Sequence, residues 1–344
     1  PFPLQPTCHG PVAARRLSML SAQHIAAFCL WIAGVTLACA QTSPTPYPVK
    51  PVRIIVPVAA GGNVDIIART LAQRFIEGLG QQVIVDNRPS ASSLVGTQLV
   101  AKSPPDGYTL LAIANTYASA PGIIANPGYD PVKDLVGVTL TARIPMVLVV
   151  NPSLPVRSVQ ELITLAKKSS GELTYASAGN GSTGHIAAEM FSRQAGVKML
   201  HVPYKGNAQS LVDLIGGQVM LMFDQISTST PHIRAGKLRA LGVTTKTRSI
   251  LFSDLPTIDE SGLRGFEDVT FNGLMAPAGT PGPVLNRLQA EVAKAVKVAE
   301  VRKRFDDQGI ELVASASPEE FTAYIRGEVA KYAKLAKDAG IRAD

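Results

Sequence analysis

The chain has no cysteine beyond residue 39. Cys8, Cys29 and Cys39 are its only three, so neither a disulfide framework nor a thiolate zinc site can form in the remaining length. Cysteine usage therefore argues neither for nor against export. Aromatic residues are sparse, at 6% with a single Trp, and charged residues make up only 17%. There is no basic run and no interleaving of basic with aromatic residues, which argues against nucleic acid as a partner. No apolar stretch after residue 40 is long enough to span a bilayer. The familiar catalytic signatures are missing as well: no G-x-S-x-G, no H-E-x-x-H, and no phosphate loop ending in Gly-Lys-Ser/Thr. A dispersed Ser/His/Asp set would leave no such signature, and nothing in the order of residues argues for one. The expectation is a non-enzyme with no metal and no cofactor.

What is present is a chain of 344 residues, 46% hydrophobic, with room for two domains of ordinary size. The 29 Gly and 25 Pro suit an α/β protein with many tight turns. The first forty residues read as a targeting segment. Arg15 and Arg16 precede an apolar run from Ile25 to Ala38, which ends in Ala38-Cys39-Ala40, a small-x-small cleavage pattern. Cleavage after Ala40 is expected. Lipidation of Cys39 is the alternative, although Thr36 stands where a lipobox prefers Leu. Residues before Met19 read as an upstream extension. Setting aside Arg15 and Arg16 from the 33 basic residues leaves 31 against 26 acidic, a net of +5. That balance fits an anionic ligand, and fits simple solubility equally well.

From Val52 onward, strand and helix patterns alternate. Val52–Pro57 is strand-like and is followed by the turn Ala59-Ala60-Gly61-Gly62-Asn63. Val64, Ile67, Leu71, Phe75 and Leu79 then fall on one helical face. Asn63 is placed as an N-cap, with Asp65 in the first turn. Ser158 with Glu161, and Ser317 with Pro318 and Glu320, are capping boxes that open further helices. This alternation predicts mostly parallel sheets covered by helices. Met146–Val150 and Asn272–Ala276 stand out as apolar strands that cross between two lobes.

Two turns invite a chemical reading. Gly179-x-Gly181-x-x-Gly184 follows a strand and opens a helix, as a dinucleotide fingerprint does. The next strand ends His201-Val202-Pro203-Tyr204-Lys205, without the acid that a ribose requires, so that reading fails. The physics of the turn survives. Glycines admit close approach, the first helical amides lack intrahelical partners, and the helix dipole favours an anion. Ser182 and Thr183 add hydroxyls. An ordinary capped loop explains the same pattern. The Ala60–Asn63 turn has the same design, and Asn115 also falls at a strand end, where ligands of open α/β sheets bind. Lys205 is either a ligand partner or a solvated lysine. Asp224 either braces a cleft loop or caps a turn. Tyr204 forms a wall of the cleft or packs in the core. His185 reads as structural, and His201 and His232 have no metal spacing.

Several ordered motifs resemble one family: Arg53-Ile-Ile-Val-Pro-Val-Ala-Ala-Gly-Gly-Asn-Val-Asp65, Asp86-Asn-Arg-Pro89, Ser103-Pro-Pro-Asp-Gly-Tyr-Thr-Leu-Leu111, Ser177-Ala-Gly-Asn-Gly-Ser-Thr-Gly-His185, Val202-Pro-Tyr-Lys-Gly206, Gly217-Gln-Val-Met-Leu-Met-Phe-Asp224 and Gly273-Leu-Met-Ala-Pro-Ala-Gly-Thr-Pro281. From about Tyr47 on, the chain resembles the substrate-binding receptors of tripartite tricarboxylate transporters, the Bug or TctC-like proteins. The resemblance implies a two-lobed type II periplasmic-binding-protein fold with a hinge of two crossing strands. The expected lobes are residues 48–146 with 275–344, and 147–274. It implies a periplasmic monomer that binds a small carboxylate: a di- or tricarboxylate, an acidic amino acid or an aromatic acid. The partner is a membrane permease or, alternatively, a sensor kinase. Carried over, the ligand contacts are Ala60, Gly62, Asn63 and Asp65 in one lobe and Ser182, Thr183 and Gly184 in the other. Tyr204, Lys205 and Asp224 line the same cleft. The chain departs from the family pattern at Val58, at Asn63, at Ser90-Ala-Ser-Ser93 in place of a usual Gly-Ala-Gly-Gly, and at Phe271.

Overall fold

The computed structural model describes residues 47–169, 171–204, 206–340 and 342. The targeting segment, its cysteines and Lys205 lie outside the described residues. In chain order, β1 (Val52–Val56), β2 (Val83–Asn87) and β3 (Thr109–Ala114) alternate with α1 (Asn63–Leu79), α2 (Leu94–Ala101) and α3 (Asn115–Ile123). The long β4 (Leu135–Val150) and α4 (Val159–Lys168) lead into a second set: β5 (Thr174–Ser177), α5 (Thr183–Ala195), β6 (Leu200–Pro203), α6 (Asn207–Ile215), β7 (Leu221–Gln225) and α7 (Ile226–Arg234). Then follow β8 (Arg239–Val243), β9 (Val269–Pro277), α8 (Gly282–Ala295), α9 (Ala299–Asp306), β10 (Glu311–Leu312) and α10 (Pro318–Ala339).

The strand order is β2-β1-β3-β9-β4-β7-β5-β6, with β8 and β10 also paired to β4. β1 is parallel to β2 and β3, and β5 is parallel to β6 and β7. The strands between these parallel groups run antiparallel: β9 against β3, and β4 against both β9 and β7. β4 joins the two halves by changing partners along its length. Leu135–Pro145 pairs with β9, whereas Met146–Val150 pairs with β7. The return connection enters β9 at the same level, with Val269 opposite Pro145.

Each half has its own core. Ile67, Leu71, Phe75 and Leu79 of α1 are buried beside Ile54, Leu110 and Leu288. The other face of that sheet buries Ile55, Leu111, Phe271 and Phe321. In the second half, Leu148, Tyr175, Phe191 and Phe223 form one cluster, and Val149, Leu214 and Met222 another. Separate cores on one continuous strand define two lobes. α5 packs across between them: Ile186 is buried in the first-half cluster, and Met190 packs against it.

The capping boxes form as the sequence specifies. Ser158 Oγ accepts from Glu161 N–H, and Ser317 Oγ from Glu320 N–H. The middle of the first lobe departs further from expectation. α3 contains Pro121 and a weak apolar pattern, so local propensity does not announce it. Packing supplies it: a Cβ on Gly122 would lie 3.0 Å from Ala333 Cα, so the glycine lets α10 approach closely. The first part of β4 holds Thr139, Thr141 and Arg143 among its apolar residues, which hides the strand in a pattern search.

Candidate functional site

The first turn is held open from behind. Gly61 has φ +91°, a conformation that glycine adopts without strain. Its N–H donates to Asp65 Oδ2 at 2.9 Å. Asp65 is only 2% exposed, and its oxygens also accept from Arg69 Nε and Asn87 Nδ2. Burial by itself raises the Asp65 carboxyl, but the hydrogen bonds from Arg69, Gly61 and Asn87 outweigh burial and hold it below its ordinary value. Asp65, expected among the ligand contacts, is thus fully engaged within its own lobe. The N-cap of α1 is Gly62, not Asn63, and no side chain caps the helix. The amides of Asn63, Val64 and Asp65 therefore have no intrahelical acceptor. Asn63, freed from capping, reaches across to the second lobe. Its Nδ2 donates to Gln225 Oε1 at 2.6 Å and lies 3.5 Å from Ser227 Oγ. Ala60 and Gly62 are exposed on the same turn.

The three glycines of the second turn do three different things. Gly179 turns the chain at φ +126°. Gly181, at φ +72°, sits against the opposite lobe: a Cβ there would lie 2.3 Å from Ile123 Cδ1. Gly184 lets α5 pack on β7, since its Cβ would lie 2.5 Å from the Phe223 carbonyl oxygen. That packing, rather than approach to a ligand, accounts for this last glycine. Ser182 caps α5, its Oγ accepting from His185 N–H at 3.4 Å. The hydroxyl proton of Ser182 and the amides of Thr183 and Gly184 remain available to an acceptor.

Between α3 and this second turn lies a cavity of about 170 Å³. Ser92, Thr116, Ser119 and Ile123 line it from the first lobe, and Asn180, Gly181 and Ser182 from the second. No charged side chain lines it among the described residues. Ser119 Oγ donates across it to Gly181 O at 3.4 Å. Each turn thus faces a different part of the opposite lobe: the first meets the β7–α7 junction, and the second meets α3. The Ser90–Ser93 segment reaches the cavity in a backbone suited to glycine, with φ +51° at Ser92 and +62° at Ser93. Each left-handed serine costs about 1 kcal/mol relative to an ordinary conformation.

The remaining expected contacts brace the cleft from within. Asn115 is buried. Its Nδ2 donates to Tyr332 Oη at 2.7 Å and to Val269 O at 3.1 Å, and its Oδ1 accepts from Phe271 N–H. It clamps the start of β9 and has no side-chain donor left for an anionic ligand. Asp224 is likewise buried, accepting from Asn207 Nδ2 at 2.5 Å, Thr228 Oγ1 at 2.5 Å and Ser229 Oγ at 2.7 Å. Burial pushes its carboxyl up, against those hydroxyls. Tyr204 Oη donates to Asp213 Oδ2 at 2.8 Å, within the second lobe. Gln225, Ser227, Thr116, Ser119 and Asn180 were not singled out by sequence. Gln225 ends β7 and the other four follow a strand end by two to five residues, and that position is the signal that points to them.

A larger groove, of about 590 Å³, lies on the second lobe beside Ile233, Leu238, Phe252 and Leu255. Its cation, Arg239, is spent on the carbonyls of Pro152, Leu154 and Val156. No helix begins among its lining residues, so it lacks the open amides found in the cleft.

Two lobes joined by the long β4 and the return connection into β9, with helix N-termini near a cavity at the strand ends, define the class of two-lobed periplasmic solute-binding proteins. Residues 67–341 match the tripartite tricarboxylate transporter family receptor profile. The chain belongs to this family of substrate-binding receptors. It is 34% identical over 320 residues to Protein BugT of Bordetella pertussis, covering 92% of this chain and 98% of that one. Among solved structures it is similar to Rpa4515 of R. palustris with adipate, at 37% identity and TM-score 0.76, covering 86% of this chain and 99% of that one. It is also similar to the periplasmic binding protein BugD, at 37% identity, TM-score 0.73 and the same coverage. MatC of Rhodopseudomonas palustris with bound malate matches at 31% identity and TM-score 0.72, covering 84% of this chain and 99% of that one.

Proposed function

We propose that this chain is a periplasmic receptor that binds a small dicarboxylate in the cleft and presents it to the permease of a tripartite tricarboxylate transporter. The observation that carries the reading is the cavity itself: hydroxyls and an amide side chain beside the N-cap of α5, with no charged side chain among the described residues that line it. Such a site holds an anion through hydrogen bonds and oriented peptide dipoles. Adipate and malate in the related structures support a ligand with two carboxylates. The bracing roles of Asp65, Asn115 and Asp224 leave the grip to the amides of Asn63–Asp65 and Thr183–Gly184, and to Ser182 and Thr116. The proposal includes no catalytic step.

We place one lobe boundary at 146/147, where β4 changes partners. The β9 register supports a second boundary near Val269, because Phe271–Pro277 pair within the first lobe. Thermal-shift screening of adipate, malate, citrate and aspartate against sugar and amine controls tests the reading. At a ligand concentration about a hundredfold above Kd, binding to the native state alone stabilises it by about 2.7 kcal/mol. At least one dicarboxylate is expected to give a shift of that order. Binding of a sugar or an amine with no response to any carboxylate would refute the proposal.

A further inference from the structure

Behind the second turn lie two histidines that the proposed grip does not use directly. His185, in the first turn of α5, and His201, on β6, stack face to face with centroids 4.0 Å apart and planes 5° apart. Tyr175 of β5 extends the stack, 4.8 Å from His201. Each imidazole holds one corner of the turn. Gly181 N–H donates to His185 Nδ1 at 3.0 Å. His201 Nε2 lies 2.7 Å from Ser177 Oγ, which accepts the Gly179 N–H and lies 3.1 Å from Gly179 O.

We propose that His185 and His201 form a neutral stacked pair that positions the second turn, so that Gly181 N–H is taken inward while the Thr183 and Gly184 amides stay open to the ligand. The inference rests on the carboxylate reading above. Three features require neutrality. A proton on His185 Nδ1 would face the Gly181 N–H, two donors with no acceptor between them. Two imidazolium rings 4.0 Å apart would repel in a partly buried site. Among the described residues the charged group facing the pair is Glu189 of α5, and its Oε1 is occupied by Tyr175 Oη at 2.7 Å. Burial accordingly moves His185 down from 6.5 to about 4. Burial, then the neighbouring His185, moves His201 to about 4 against the pull of Glu189. A histidine lowered in this way keeps its contribution above its ordinary value. Stability is lost as pH falls from about 6.5 through about 4, because the unfolded chain binds the proton more readily.

The test uses the full chain without ligand first. Nitrogen NMR is expected to show His185 with Nδ1 unprotonated and Nε2 protonated at neutral pH, titrating near 4. Titration near 6.5, or a protonated Nδ1, would overturn the proposal. His185→Asn places Oδ1 where the imidazole carries Nδ1, so Gly181 amide exchange and adipate or malate affinity are expected to stay near wild type. His185→Leu removes the acceptor, and about tenfold faster Gly181 exchange and about tenfold weaker affinity are expected. Equal Gly181 exchange in the His185→Leu and wild-type chains would also overturn it. If the wild type binds neither adipate nor malate, the carboxylate reading fails, and the exchange and titration arms still decide the role of the pair.

Discussion

Gly184→Ala is expected to destabilise the chain by about 2 kcal/mol and to weaken carboxylate binding at least about tenfold. The added Cβ would lie 2.5 Å from the Phe223 carbonyl oxygen, and that oxygen belongs to the backbone of the central β7. It cannot rotate away as a side chain would. α5 must lift from the sheet, carrying the Thr183 and Gly184 amides out of position. Gly62→Ala is the matched control for stability. No atom lies within 4 Å of its Cβ position and its φ is −81°, so the lost N-cap preference and the lower unfolded-state entropy of Ala nearly offset, for a net cost of a few tenths of a kcal/mol. Urea melts and calorimetric titrations read both effects. A Gly184→Ala chain as stable as Gly62→Ala would mean that α5 does not bear on β7.

Asp224→Ala is expected to cost about 3 kcal/mol. The carboxylate gathers Asn207 at the start of α6 with Thr228 and Ser229 in α7. Deleting it leaves the buried Ser229 hydroxyl and the half-buried Asn207 amide without their acceptor, whereas the exposed Thr228 keeps the Gln225 carbonyl. Asp224→Asn should cost less than half as much. Both hydroxyls can turn to accept from the new amide, and the buried charge is gone. Because burial raises the Asp224 carboxyl, its ionisation opposes folding at neutral pH, and the charge-free variant recovers part of that cost. Equal losses for Ala and Asn, measured by urea unfolding, would show that the volume of the side chain matters and its hydrogen bonds do not.

These roles also show where sequence reading stops. The α1 face, the capping boxes at Ser158 and Ser317, and the strand–helix alternation follow from spacings of three or four residues, so they are legible locally. So are the strand ends and glycine-rich turns at which the site is proposed. The direction in which a polar side chain points is not local. Asp65 is settled by Asn87, Asp224 by Asn207, and Asn115 by Tyr332, which lies 217 residues away. All three residues lie near strand ends and carry the right chemistry for a ligand contact, and each is turned into its own scaffold. The stacked histidines escape notice for a related reason. His201 is in register with Tyr175 on the neighbouring strand, and His185 opens the helix that follows β5. Their partnership lies across the sheet and has no signature along the chain. The serines at 92 and 93 illustrate the reverse. The sequence shows an unusual Ser-Ala-Ser-Ser, and the structure places Ser92 and Ser93 in a left-handed backbone that suits glycine.

The central claim is that an anion is held by the turns at the strand ends, through backbone amides and hydroxyls, between the two lobes. Its most direct test is a crystal structure of the chain grown with adipate or malate at saturation. One carboxylate is expected within hydrogen-bond distance of the Thr183 and Gly184 amides and the Ser182 hydroxyl, and the other end of the ligand at the Asn63–Asp65 amides. Density for the acid in the groove beside Leu238 and Phe252, with the cleft empty of it, would contradict the account.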